Sequence, residues 1–164
     1  MKQLAKLINM ENPHSIYGEV KLIASMIKQD FDSSHLDRAY ADVFHLFNGE
    51  YPGYKGCNTL YHDLRHTMAV FLAMARLMHG YAAYEKSSFT DKEINIGLIG
   101  ALMHDTGYQQ TIDDTEGTGA KHTLIHVQRS IDFVHHIYKD DEYFSDSLVC
   151  FQNILNCTGL KEKV

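Results

Sequence analysis

The sequence predicts an all-α protein, and three observations carry that prediction. Alternation of apolar and polar residues is hard to find, apolar residues recur instead at helical spacing, and the two prolines, Pro13 and Pro52, stand where the helical pattern breaks. The 164 residues, 45% hydrophobic, show no low-complexity stretch, internal repeat or charge block, which suits one domain over 1–164 around one core. A bundle of about six to seven helices is expected.

A weak helix is expected inside 2–10, followed by stronger ones near 15–30 and 33–48. The segment 59–80 has an apolar stripe through Leu60, Leu64, Met68, Phe71, Ala75 and Met78, while His62, His66, Ala69 and Ala73 follow one another on a second face. Next comes 91–106, where Thr90-Asp91-Lys92-Glu93 forms a capping-box start. Its body, Ile94 to Met103, is apolar all round and therefore buried, and Gly97, Gly100 and Ala101 would let a neighbouring helix approach closely. Helix 119–138 has a core stripe of Leu124, Val127, Ile131, Val134 and Tyr138, with His122, His126 and Arg129 on another face. A last helix is expected near 141–157.

The formal charge of −6 is spread along the chain and Lys/Arg never cluster, which argues against a nucleic-acid polymer or an anionic membrane surface as partner. A small phosphorylated ligand is compatible with this charge, met locally by a metal and one or two basic residues. The expected location is cytoplasmic: no run has the length of a membrane span, and the start is too short and polar for a signal peptide. Cys57, Cys150 and Cys157 are an odd number without CxxC spacing, against both a disulfide framework and a thiolate zinc knot. The oligomeric state stays open, a homodimer included.

Eleven histidines are the compositional anomaly. His104-Asp105 closes the apolar run just ahead of Gly107, which places Asp105 at the negative end of the helix dipole. A carboxylate there needs a cation, and no Lys or Arg lies between Lys92 and Lys121. Within Tyr61-His62-Asp63-Leu64-Arg65-His66 a helix would place two imidazoles one turn apart on one face. Three helices can thus aim ligands at one locus. Neutral imidazoles and a carboxylate suit zinc, iron or manganese without choosing among them. The bland alternative is a buried histidine hydrogen-bonded to a carboxylate.

Tyr61-His62-Asp63-Leu64-Arg65-His66 and Ala101-Leu102-Met103-His104-Asp105-Thr106-Gly107-Tyr108 together resemble the HD-domain superfamily of metal-dependent phosphohydrolases, particularly its cyclic-nucleotide phosphodiesterase-like branch, over about residues 58–135. The resemblance implies a single HD-like bundle holding one or two divalent ions (Fe, Mn, Zn, Mg or Ni) through His66, His104 and Asp105, with His126 and His122 as further ligands. It implies that His62 protonates the leaving oxygen and that Glu116 orients or deprotonates the attacking water. Lys121, Arg65 and Arg129 are the candidates for phosphate contact.

One departure stands out. Such domains complete the site with a second Asp on a late helix, and the nearest counterpart here is Asn156-Cys157-Thr158-Gly159-Leu160, in which Gly159 cannot ligate. Either that Asp lies beyond residue 164 in a longer chain or another group, Asp146 first, replaces it. The resulting expectation is hydrolysis of a phosphomonoester or phosphodiester, with a nucleotide as leading substrate. The rivals are a di-iron oxygenase on the same architecture and a non-catalytic metal-binding signalling module.

Overall fold

A computed structural model describes residues 8–86 and 88–159. Among these residues the fold is all-helical: α1 Pro13–Ile27, α2 Ser34–Asn48, α3 Leu64–Glu85, α4 Asp91–Met103, α5 His126–Tyr138 and α6 Leu148–Asn156. Short 3-10 turns at Thr106–Tyr108, Gly119–His122 and Ser145–Ser147 join them, and Tyr54 forms an isolated antiparallel bridge with Thr111. No described helix is long and apolar enough to cross a membrane. Of the weak helix expected inside 2–10, residues 2–7 lie outside the described part, and 8–10 form a bend and turn.

Side-chain caps mark three of the six helix starts, those of α1, α3 and α4. Asn12 accepts from the amides of His14 and Ser15, with Pro13 as the first helical residue. The capping box of α4 forms as expected: Thr90 Oγ1 accepts from the Glu93 amide at 3.2 Å, and Glu93 Oε2 accepts from the Thr90 amide at 2.8 Å.

The third helix starts later than expected, at Leu64 rather than 59. The Asp63 carboxylate accepts from the His66 amide at 2.8 Å and the Asp63 backbone is extended, so the chain before it cannot continue the helix. Leu60, expected in the core stripe, is consequently fully exposed. A similar break splits the expected helix 119–138 into a 3-10 turn, a three-residue connection and α5; Leu124 falls in the connection and is exposed. The last helix begins at Leu148, after the turn at 145–147.

Nine of the thirteen residues of α4 are buried, which makes it the central rod of the bundle. Its glycines are contact points. A Cβ on Gly97 would meet Met78 Sδ of α3 at 2.8 Å, and one on Gly100 would meet Ile154 Cγ2 of α6 at 2.9 Å. The close approach of α3 brings its N-terminus, with His66, beside the C-terminus of α4, with His104 and Asp105. One contiguous apolar cluster draws on all six helices.

Candidate metal centre

Helix α4 ends at Met103; His104 is its C-cap, and Asp105 leads directly into the 3-10 turn. Two consecutive residues of α5 lock this stretch in place. Ser130 Oγ accepts from the Gly107 amide at 2.9 Å and donates to the His104 carbonyl at 2.8 Å. Arg129 donates from Nε to Gly107 O at 2.7 Å and from Nη2 to Gln109 O at 2.8 Å. The backbone contact is as close as glycine permits, because a Cβ on Gly107 would lie 1.9 Å from His126 O.

The side chains so held converge. Asp105, 1% exposed, places Oδ2 at 2.8 Å from His62 Nδ1, 3.1 Å from His104 Nε2 and 3.4 Å from His66 Nε2. The two Nε2 atoms of His66 and His104 are themselves 3.4 Å apart. His104 Nδ1 is 2.8 Å from Ala101 O, and a carbonyl only accepts, so that nitrogen carries a proton; Nε2 presents a lone pair when the ring is neutral and donates to Asp105 Oδ2 when it is charged. His126 has the same arrangement, with Nδ1 donating to Thr123 O at 2.6 Å. Its ring stacks on Tyr108 at 4.5 Å, His62 stacks on Tyr108 at 4.2 Å, and the two imidazoles lie 6.2 Å apart, so one buried phenol packs against both.

Burial by itself pushes the Asp105 carboxyl up, but hydrogen bonding and charge from His104 and His62 reverse this and hold it below the usual carboxylate range. Burial lowers the His66 imidazole below its ordinary value, Asp105 opposing and His104 and His62 adding to the effect, which favours the neutral, ligand form.

These groups line a cavity of 370 Å³, bounded also by Tyr61, Val70, Thr123 and Thr158. The site thus contains His62, His66, His104, Asp105 and His126. His62 stands just outside α3 rather than one helical turn before His66 on the same helix, yet its ring still reaches Asp105. His62, His66 and Asp105 each place a ligand-type atom within 4.8 Å of the other two, a His/His/Asp group able to hold a metal ion.

The remaining sequence candidates lie elsewhere. His122 belongs to the 3-10 turn, where the helical phase relating it to His126 does not hold, and its Nε2 pairs with Asp114 Oδ2 at 3.2 Å. Glu116 is exposed on the preceding loop, held through its carbonyl by Gln110 and by Lys121 Nζ at 2.7 Å. Lys121 also pairs with Asp114, and Arg65 pairs with Glu11 at 2.9 Å on the surface. Arg129 braces backbone. Asp146, the suggested substitute for the late Asp, is mostly exposed and bound to Lys92 at 2.6 Å. Among the described residues of that segment, Thr158 reaches the cavity.

Sequence reasoning assigned no role to Tyr61, Tyr108, Thr123, Thr158 or Ser130. Tyr61 and Tyr108 adjoin the motif histidines, which was the available signal; nothing local marks the others. No family model, curated protein or solved structure matches the chain.

Proposed function

We propose that the chain is a divalent-metal phosphohydrolase of the HD type, cleaving a phosphomonoester or phosphodiester, with a nucleotide as leading substrate. The observation that carries this reading is the triangle of His66 Nε2, His104 Nε2 and Asp105 Oδ2, with sides of 3.1, 3.4 and 3.4 Å. With both rings neutral and protonated at Nδ1, as the Ala101 contact favours for His104, three electron-rich atoms face one another in a buried place, an arrangement that calls for a cation between them. Ligands about 2.0–2.2 Å from one ion, at octahedral or tetrahedral angles, stand about 2.8–3.6 Å apart, so the donor set fits a metal. Among the described residues that line the cavity none is Lys or Arg, so beyond its bond to His62 the carboxylate has an ion as its natural counter-charge.

In this reading His66, His104 and Asp105 hold the ion, and His126 offers Nε2 from the opposite wall. A bound divalent ion supplies Lewis acidity, which activates water and polarises the phosphoryl group. His62 handles the proton. Its Nδ1 donates to Asp105, which orients the ring, and Nε2 is the nitrogen that gives its proton to the leaving oxygen. Because His62 also lies within ligand distance of His66 and Asp105, a second reading makes it a ligand.

Elemental analysis of protein purified without added metal, with hydrolysis of a panel of phosphate esters, tests the proposal. Stoichiometric divalent metal and ester turnover are expected, with Asp105→Ala, His66→Ala and His104→Ala each lowering bound metal severalfold. Full metal content in the Asp105→Ala protein would overturn the site, and metal without turnover would overturn the hydrolase.

A further inference from the structure

The cavity brings together four imidazoles and one carboxylate, but the groups that usually neutralise extra phosphates are absent from its described walls. Arg65, Lys121 and Arg129 all point their charge into other partners, as described above. The two threonine hydroxyls of the wall are engaged as well: Thr123 Oγ1 donates to Ala120 O at 2.6 Å and Thr158 Oγ1 to Leu155 O at 2.7 Å. Neither proton is free for a phosphate oxygen. Away from the imidazole cluster the walls are instead the rings of Tyr61 and Tyr108 and the side chain of Val70. Tyr61 is 68% exposed although it bounds the cavity and packs against the His66 ring at 4.7 Å, so it stands at the mouth. Exposed Leu60 precedes it, and exposed Leu124 and Ile125 lie between the wall residues Thr123 and His126.

We infer that this site takes a ligand with a single phosphoryl group attached to an apolar, flat aromatic or aliphatic moiety, and discriminates against ligands with a second anionic group. The phosphoryl group sits at the imidazole–carboxylate end, and the organic moiety lies along Tyr61 and Val70. Among the described residues a second anion would face aromatic and aliphatic walls with no Lys or Arg side chain to replace its hydration. The inference takes the phosphoryl end from the hydrolase reading, but binding tests it without turnover.

Calorimetry of the Mn²⁺-loaded full chain with phenylphosphonate, methylphosphonate and 3-phosphonopropionate provides the test. Phenylphosphonate is expected to bind at least tenfold more tightly than methylphosphonate, and 3-phosphonopropionate no more tightly than methylphosphonate. Tyr61→Ala should remove most of the phenyl preference, and Tyr61→Phe should keep it. Equal affinity for the phenyl and methyl compounds, tighter binding of 3-phosphonopropionate, binding of none of the three, or an unaltered preference in Tyr61→Ala would each overturn the inference. If the phenyl preference holds while no phosphate ester is hydrolysed, the hydrolase reading fails and the binding specificity stands; if esters are hydrolysed but the preference is absent, the reverse follows.

Discussion

Replacing Gly107 by alanine should be far more damaging than its small size suggests. The new Cβ would lie 1.9 Å from His126 O and 2.8 Å from Ser130 N, both backbone atoms that no side-chain rotation can move aside. The turn and α5 would have to separate by more than about 1 Å to restore ordinary contact, weakening the Gly107 N–Ser130 Oγ bond at 2.9 Å and the Arg129 Nε–Gly107 O bond at 2.7 Å. Two buried hydrogen bonds left poorly made cost about 1–3 kcal/mol each, and the overpacking itself adds about 1–3 kcal/mol. The expected loss is therefore about 3–9 kcal/mol, comparable with the whole stability of a domain this size. The same separation would move Asp105 away from His126, so metal affinity should fall with stability.

Urea unfolding followed by circular dichroism measures the loss, and two other glycines provide the contrast. A Cβ on Gly18 of α1 or Gly80 of α3 meets nothing within 4 Å, so alanine there should stabilise by up to about 1 kcal/mol through helix propensity. Should Gly107→Ala not fold, Ser130→Ala, which removes two of the four braces, is expected to cost about 1–3 kcal/mol. A loss below about 0.5 kcal/mol in both variants, the ordinary range for surface changes, would refute the reasoning.

Four further outcomes follow from the site. His62→Asn should keep the metal while lowering turnover by roughly 10²–10⁴-fold, with a smaller loss for aryl phosphates, whose leaving groups need no proton; loss of metal would make His62 a ligand instead. His126→Ala should weaken metal binding, measured by chelator competition, and His122→Ala should leave it intact because His122 faces Asp114. Thr158→Asp should tighten metal binding in the same assay, since this side chain already reaches the cavity. In metal-free protein, His66 and Asp105 both titrate below their ordinary 6.5 and 3.8, so each adds stability that is complete above those values and is lost as pH falls through the lower folded ones. The urea midpoint should accordingly drop on acidification below about pH 6.5, and His66→Gln should flatten the upper part of that drop.

The sequence by itself determined the fold class and the buried rod of α4, and it named the five ligand-type residues that gather at the site, His62, His66, His104, Asp105 and His126, with His122 beside them. Its signals were local: an apolar run too uniform for a surface helix, a Thr-x-x-Glu cap, and His104-Asp105 in a stretch without positive charge. The helix beginnings were less legible, because Asp63 outcompetes continuation of the helix by taking the His66 amide, and no pattern of apolar spacing reports which carboxylate will cap. That one hydrogen bond moved His62 off the helix and Leu60 into solvent.

Only tertiary structure decided between His126 and His122. Four residues apart, the two would share a face of one continuous helix, yet the 3-10 turn sends one ring onto Asp114 and the start of α5 sends the other onto Tyr108. The same holds for the basic residues, whose hydrogen-bond partners, Glu11, Asp114 and the carbonyls of Gly107 and Gln109, come from distant or irregular parts of the chain. Ligand chemistry is written in residue type, whereas the direction of a side chain depends on where neighbouring helices end. Those ends are set by competition among hydrogen bonds that exist only once the chain has folded.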